Sequence, residues 1–214
     1  GHMYMRYFMW HFCGRQNDTQ GHGGIIDGNW ITGINAIDKV LVGDQSEISE
    51  KAKNAPSRNV YFMLPFLLGL IGLLFQVTRR RNDSLTVILL FLMTGVAIIL
   101  YLNQKPYEPR ERDYAYVGSF YAFAIWCGMG VAAIIDMAKR YMHGTVTAAA
   151  VAALCLIVPI QMASQTWDDH DRSNRYMCRD FGRNYLMSVQ DSGKPIILNN
   201  GDNETFPLWY DQDV

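Results

Sequence analysis

Four long apolar runs interrupt an otherwise polar chain. Each run is 16 to 19 residues long and contains almost no ionisable side chain; the runs cover residues 60–77, 85–102, 120–135 and 145–163. At 1.5 Å per residue, helices of this length span about 24 to 29 Å, which approaches the roughly 30 Å thickness of bilayer hydrocarbon. The pattern therefore predicts four transmembrane helices.

Basic residues in two connectors predict the orientation of these helices. The connector "TRRRNDS" (78–84) follows the first run, and "MAKRYMHG" (137–144) follows the third. Loops enriched in Lys and Arg face the cytoplasm by the positive-inside rule. We therefore expect residues 1–59, the loop 103–119 and the chain after about residue 165 on the extracytoplasmic side.

The polar regions divide the chain further. Residues 4–13 are rich in aromatic residues and Met, which predicts a membrane-surface segment, and residues 14–59 have the Gly, Asn and Asp content of an irregular outer loop. The formal net charge is only −1. The four apolar runs imply the lipid bilayer as a partner, and we expect no nucleic acid.

The C-terminal pattern predicts the start of an α/β domain. Residues 168–188 have apolar residues at helical spacing, which predicts an amphipathic helix. The short apolar run 195–199 predicts a buried strand, and Gly201 precedes a helix expected to begin near Thr205. The predicted fold is thus an all-α integral membrane protein with four transmembrane helices, followed by the beginning of an extracytoplasmic α/β domain. Its parts are an outer region (1–59), a membrane region (60–164) and the C-terminal domain (165–214).

The loop before the third apolar run is unusually charged for a simple turn. In "YLNQKPYEPRERDYAYVGSFY", Arg110 and Arg112 alternate with Glu108, Glu111 and Asp113. Arginine forks bind phosphate in a bidentate manner, so this loop could contact the phosphate of a lipid-linked molecule. Alternatively, the charges pair with one another and brace the loop.

Two further polar stretches are candidate sites. Acids and a histidine that could hold a divalent cation or exchange protons occur in "WDDHDRSNR": Asp168, Asp169, His170 and Arg172. The same Asp and Ser residues could instead cap a helix. In "NNGDNET", Asp202 and Asn203 follow the predicted strand at the start of a helix, where α/β folds often bind ligands.

Several long strings resemble a family of membrane enzymes. They are "RYFMWHFCGRQNDTQGHG", "NQKPYEPRERDYAYVGSFYAFAIW", "WDDHDRSNRYMCRDFGRNYL" and "NNGDNETFPLWY". Together they resemble a mainly Bacteroidetes-type family of polytopic membrane proteins that is grouped with the GT-C glycosyltransferases and related to the animal transmembrane protein O-mannosyltransferase.

The resemblance implies transfer of a sugar from a lipid-linked donor to a protein or glycan hydroxyl at the outer face of a bacterial inner membrane. It implies donor contacts from Arg110, Arg112, Asp113 and Tyr114, and a divalent metal would be compatible with that chemistry. We expect the chain to be an internal fragment with the catalytic acid upstream of it. Alternatives are a non-catalytic membrane scaffold or binding protein and, with less support, a transporter.

Overall fold

The computed structural model describes residues 2–20, 24–104, 111–141, 144–189, 193 and 195–213, and divides into two compact units, one ending at Asp169 and the other beginning at His170. The first unit contains α1 (His2–Phe12), β1 (Gly14–Arg15), α2 (Asn35–Val42), α3 (Glu50–Lys53), β2 (Asn59–Val60), α4 (Leu64–Arg79), α5 (Arg81–Thr94), α6 (Val96–Leu102), a 3-10 turn (Asp113–Tyr116), α7 (Val117–Ala138), α8 (Thr145–Cys155) and α9 (Ile157–His170), whose last residue belongs to the second unit. The second unit continues with α10 (Met177–Met187) and α11 (Asp202–Asp213).

An aromatic cluster forms the core of the first unit, and α1 lies within it. The ring of Phe8 is 4.8 Å from that of Phe123 on α7, and the ring of Phe12 is 4.5 Å from it. A helix that is apolar around most of its circumference is usually buried. The N-terminal segment, predicted from its composition to follow the membrane surface, thus contributes most of its large side chains to the protein core.

Glycines allow α4 and α7 to approach closely along their length. A Cβ atom on Gly72 would collide with the backbone of Trp126, and one on Gly130 would collide with the backbone of Leu68. Such small residues are typical of helix interfaces inside membranes, where close van der Waals packing drives association. At the far end of the same pair of helices, Arg79 donates to Asp136 at 3.1 Å.

In the described part of the chain, three helical segments are long and apolar enough to cross a membrane: Arg81–Leu102, Asp113–Ala138 and Thr145–His170. They confirm helices of sufficient length at the second, third and fourth apolar runs. The first apolar run forms the shorter helix Leu64–Arg79, because Val60 belongs to β2 and residues 61–63 form a turn. Three of the four predicted helices thus have the length and apolarity of a membrane span, and the prediction of four spans is not confirmed.

The segment between α1 and α4 is more ordered than its composition predicts. β1 and β2 pair in an antiparallel arrangement, with Gly14 opposite Val60. The buried Asp38 carboxylate accepts hydrogen bonds from the Thr32 amide at 2.7 Å, the Thr32 hydroxyl at 2.8 Å and the Gly33 amide at 2.8 Å. A buried carboxylate with this many donors fixes the backbone around it.

The described residues of the C-terminal unit contain helices and no strand. The run Pro195–Asn199, predicted as a buried strand, has no regular secondary structure, and Ile196 and Leu198 are 85% and 89% exposed. A strand needs a hydrogen-bonded neighbour, and none lies beside this run in the described part of the chain. The helix predicted near Thr205 begins at Asp202. The α/β prediction is thus not confirmed.

Candidate functional site

The charged loop is bound to α1 at its described end. Arg110 lies outside the described residues, whereas Arg112, Asp113 and Tyr114 lie at the start of the 3-10 turn that leads into α7. The carboxylate just before them, Glu111, accepts two hydrogen bonds from Arg6, at 2.9 and 2.8 Å. A charge pair therefore braces the described end of the loop, and its cationic partner comes from α1.

Tyr7 adds a second donor to this pair. Its hydroxyl donates to Glu111 and accepts the Arg112 amide at 3.3 Å. Burial, and after it the hydrogen bond to Glu111, raises the pKa of Tyr7 to about 12. Because Arg6 is 4% exposed and Tyr7 is 1% exposed, α1 supplies a preorganised donor pair that fixes the backbone before Arg112.

His11 and Asp113 form a half-exposed pair next to this anchor. Nδ1 of His11 lies 2.7 Å from the Tyr7 carbonyl, which requires a proton on that nitrogen and directs Nε2 towards Asp113 at 3.9 Å. The imidazole also lies against the ring of Phe120, with centroids 4.4 Å apart. An oriented imidazole beside a carboxylate can take up or release a proton at Nε2.

A second polar cluster surrounds Asp169. Its carboxylate accepts a hydrogen bond from the buried Asn59 amide at 2.8 Å. Burial, followed by the charge of Asp169, raises the pKa of Tyr61 to about 12. Gln161 donates to the Val60 carbonyl at 3.1 Å, so the end of α9 is attached to β2.

Trp10 lies between the two polar clusters. The guanidinium of Arg6 is 5.0 Å from its indole ring and that of Arg15 is 4.4 Å from it, which are cation–π distances. Arg15 in turn pairs with Asn59 across the short sheet. The structure thus connects Glu111, near the predicted donor loop, with Asp169 through residues of α1 and β1.

The stretch "WDDHDRSNR" is divided between the two units. Asp169 belongs to the first unit, while His170 and Arg172 belong to the second. Asp171 accepts the Ser173 amide at 2.8 Å in a turn, and α10 has no side-chain cap at Tyr176. Asp168 and His170 each take part in at least one polar, ring or electrostatic interaction. In the described part of the chain, no group of three or more His, Cys, Asp or Glu residues could hold a metal ion.

Asp202 and Asn203 lie in a different cleft, within the C-terminal unit. They occupy the first turn of α11 and face a cavity of about 590 Å³ between α10 and α11. Arg175 and Tyr176, just before α10, and Arg179 on α10 also line the cavity. The sequence predicted the two α11 residues as site residues. It did not predict the two arginines and Tyr176, because local spacing does not show which helices pack together.

An apolar cavity of about 630 Å³ opens between the helices of the first unit. Its lining includes Phe12, Leu68, Val131, Ala152 and Met162, from α1, α4, α7, α8 and α9. Small residues on α8 leave room there. A cavity of this lining suits a hydrocarbon chain.

Comparison with known proteins gives a match at the C-terminal end. The family model described as TMEM260-associated domain 2 matches residues 178–214. No curated protein and no solved structure matches the chain.

Proposed function

We propose that this chain is part of a membrane-embedded GT-C type glycosyltransferase. The enzyme would transfer a sugar from a lipid-linked donor to a protein or glycan hydroxyl on the extracytoplasmic face, in a bacterial inner membrane. The observation that carries the proposal is the match of residues 178–214 to TMEM260-associated domain 2, because TMEM260 is a protein O-mannosyltransferase. Mannose is accordingly the first sugar to test.

The geometry of the first unit is compatible with a lipid-linked donor. The apolar cavity offers space for the hydrocarbon chain of the carrier. Arg112, together with Arg110, would contact the phosphate, where negative charge develops as the sugar leaves. Glu111 would not contact the donor, since Arg6 and Tyr7 already bind it. Asp113 and Tyr114 remain candidate donor contacts.

A non-catalytic scaffold is the second candidate. It is favoured by the same Glu111 contacts, because they show one charge of the loop in a bracing role. In a scaffold, Arg112 would only stabilise the conformation of the loop, and another cationic residue at this position would stabilise it equally well.

A conservative substitution separates these two functions. Arg112→Lys keeps the charge but loses the planar two-pronged contact to phosphate. We expect mannose transfer from a polyprenyl phosphate donor by the full-length protein in liposomes to fall at least about 10-fold, since a charge-assisted hydrogen bond contributes roughly 1.5 to 3 kcal/mol. The control is Arg80→Lys, at an exposed position in a connector, which should transfer at the wild-type rate.

Thermal unfolding of each variant in the same detergent shows whether the loss reflects misfolding. Equal turnover of Arg112→Lys and wild type would remove Arg112 from donor binding. Absence of transfer from several lipid-linked donors by the wild-type protein would favour the scaffold.

A further inference from the structure

The cleft of the C-terminal unit has the lining of a ligand site. Its volume of about 590 Å³ lies within the roughly 300 to 1,000 Å³ of small-molecule pockets. Tyr176, Phe206 and Tyr210 line it, and each is more than half exposed. Several large aromatic rings exposed in one cavity are unusual on a protein surface without a binding role.

Packing of α10 on α11 gives the cleft its width. Gly182 lies where a Cβ atom would collide with the Pro207 carbonyl and the Asp211 carboxylate, so the two helices touch there. The cleft opens beyond this contact, towards the N-terminal ends of the helices. Its walls are therefore held by a backbone contact and do not depend on the ligand.

Charges within the cleft are balanced. Arg179 donates to Asp180 at 2.8 Å, and its guanidinium lies 4.4 Å from the centroid of Tyr176. Arg175 adds a positive charge to the same cavity and interacts electrostatically with Asp171, and Asp202 adds a negative charge. An anionic ligand would meet the Asp202 carboxylate and compete with Asp180 for Arg179 and with Asp171 for Arg175, so the electrostatics favour a neutral ligand.

We propose that this cleft binds a neutral carbohydrate. The ring faces of Tyr176, Phe206 and Tyr210 offer flat apolar surfaces to the C–H face of a sugar. Carboxylate and amide groups of Asp202 and Asn203 accept and donate hydrogen bonds to hydroxyl groups. Binding at this cleft requires neither the donor loop nor a transfer reaction. The inference rests on the proposed function only in the choice of a mannose oligosaccharide as the probe.

Binding can be tested on the full-length protein in nanodiscs without a sugar donor. The probe is an α-linked mannotriose, observed by saturation-transfer difference NMR, with cellotriose as a second neutral probe. We expect saturation on the ring-face protons of at least one of the two sugars. Tyr210→Ala should weaken the dissociation constant by about three- to tenfold, because an aromatic contact contributes about 0.5 to 1.5 kcal/mol. Tyr210→Phe should retain most of the affinity.

Phe181→Ala is the matched control, because this aromatic side chain lies on α10 outside the cleft lining and should leave affinity unchanged. Asp202→Asn keeps the shape of the site and should weaken binding about threefold, which provides a second variant if Tyr210→Ala misfolds. The proposal is overturned if neither sugar binds at millimolar concentration, or if Tyr210→Ala and Tyr176→Ala both bind as wild type.

Preferred binding of a sulfated disaccharide or of an unstructured peptide would also overturn it and identify a different ligand class. Because no donor is present, failure of this experiment leaves the transfer result for Arg112→Lys intact. Conversely, an inactive transferase would still bind the sugar.

Discussion

At the scale of single residues, Glu111 decides how the charged loop is used. In the sequence, Glu111 lies among alternating charges, and this pattern is compatible with two hypotheses: pairing of the charges within the loop, or binding of a phosphate. The structure pairs Glu111 with Arg6, which is 105 residues away along the chain. Spacing rules reach only across a few residues of a helix or strand, so this partner could not be predicted. Arg6 could have been suspected, because α1 has no other Arg or Lys.

Breaking the pair from one side should be costly. Arg6→Met leaves the Glu111 carboxylate partly buried without its cation, and we expect a loss of about 3 kcal/mol in the free energy of unfolding. Arg6→Met combined with Glu111→Leu should lose less than the sum of the single variants. Denaturation in detergent micelles measures all three, and strictly additive losses would contradict a coupled pair.

The exposed ion pair of Lys39 and Asp44 is the control for this comparison of single and double variants. Its atoms are 3.0 Å apart, and Lys39 is 64% exposed. Lys39→Met should change the free energy of unfolding by no more than about 1 kcal/mol, since solvent screens surface pairs.

Buried tyrosines should make the first unit sensitive to alkali. The pKa of Tyr7 is raised to about 12 by burial, from an unfolded value near 10. Below pH 10 the tyrosine is protonated in both states. Between about pH 10 and 12 the unfolded chain loses the proton while the folded protein keeps it, so stability falls as pH rises.

Unfolding midpoints between pH 8 and 12 measure this effect. Tyr7→Phe should be less stable at pH 8, because Glu111 loses a donor, but its further loss between pH 10 and 12 should be smaller than that of the wild type. An identical slope in both proteins would show that Tyr7 does not titrate with unfolding. Tyr61, with a pKa also raised to about 12, accounts for part of the remaining slope.

At the scale of elements, long apolar helices were predictable and short elements were not. The runs 85–102, 120–135 and 145–163 fall within helices because length and apolarity alone favour them. The strand predicted for Pro195–Asn199 is not formed. A short apolar run does not show whether a second strand is available to pair with it. The same limit applies to the cleft, where Asp202 was selected but Tyr176 and Arg179 were not.

Close packing of α4 and α7 predicts a contrast between two glycines of α7. A methyl group at Gly130 collides with the Leu68 backbone, whereas one at Gly128 meets nothing within 4 Å. Gly130→Ala should lower the free energy of unfolding by about 1 to 3 kcal/mol, as overpacking does. Gly128→Ala should be neutral or slightly stabilising, because Ala favours a helix over Gly.

Thermal unfolding of both variants in the same detergent provides the comparison. Equal destabilisation would show that loss of glycine itself, and not the contact with α4, determines the outcome.

At the scale of the whole molecule, the basic connectors predict which ends face the cytoplasm. Arg79 and Asp136 lie together, so the connector after α4 and the end of α7 share one end of the helix bundle. The direction of insertion is a prediction from the positive-inside rule.

Cysteine labelling in intact cells tests that direction. Tyr114→Cys, at a position 58% exposed, should react with a membrane-impermeant thiol reagent, and Tyr141→Cys, at a position 88% exposed, should react only after lysis. Ser119 and Ser84 are unsuitable positions because both are buried. Exposed Cys178 must first be replaced by Ser to remove background. The opposite labelling pattern would reverse the orientation.

The distribution of indole side chains gives the protein built-in optical probes. Trp10 and Trp126 are buried, and the Trp126 Nε1–H donates to Gln76 at 2.8 Å, whereas Trp209 is 58% exposed. Trp167 is 70% exposed, and Trp30 packs against the aromatic cluster. Iodide should therefore quench the emission of Trp167 and Trp209 and leave Trp10 and Trp126 bright. In a variant with both Trp167→Phe and Trp209→Phe, a shift of the emission to longer wavelength on heating would mark the entry of water into the aromatic core of the first unit.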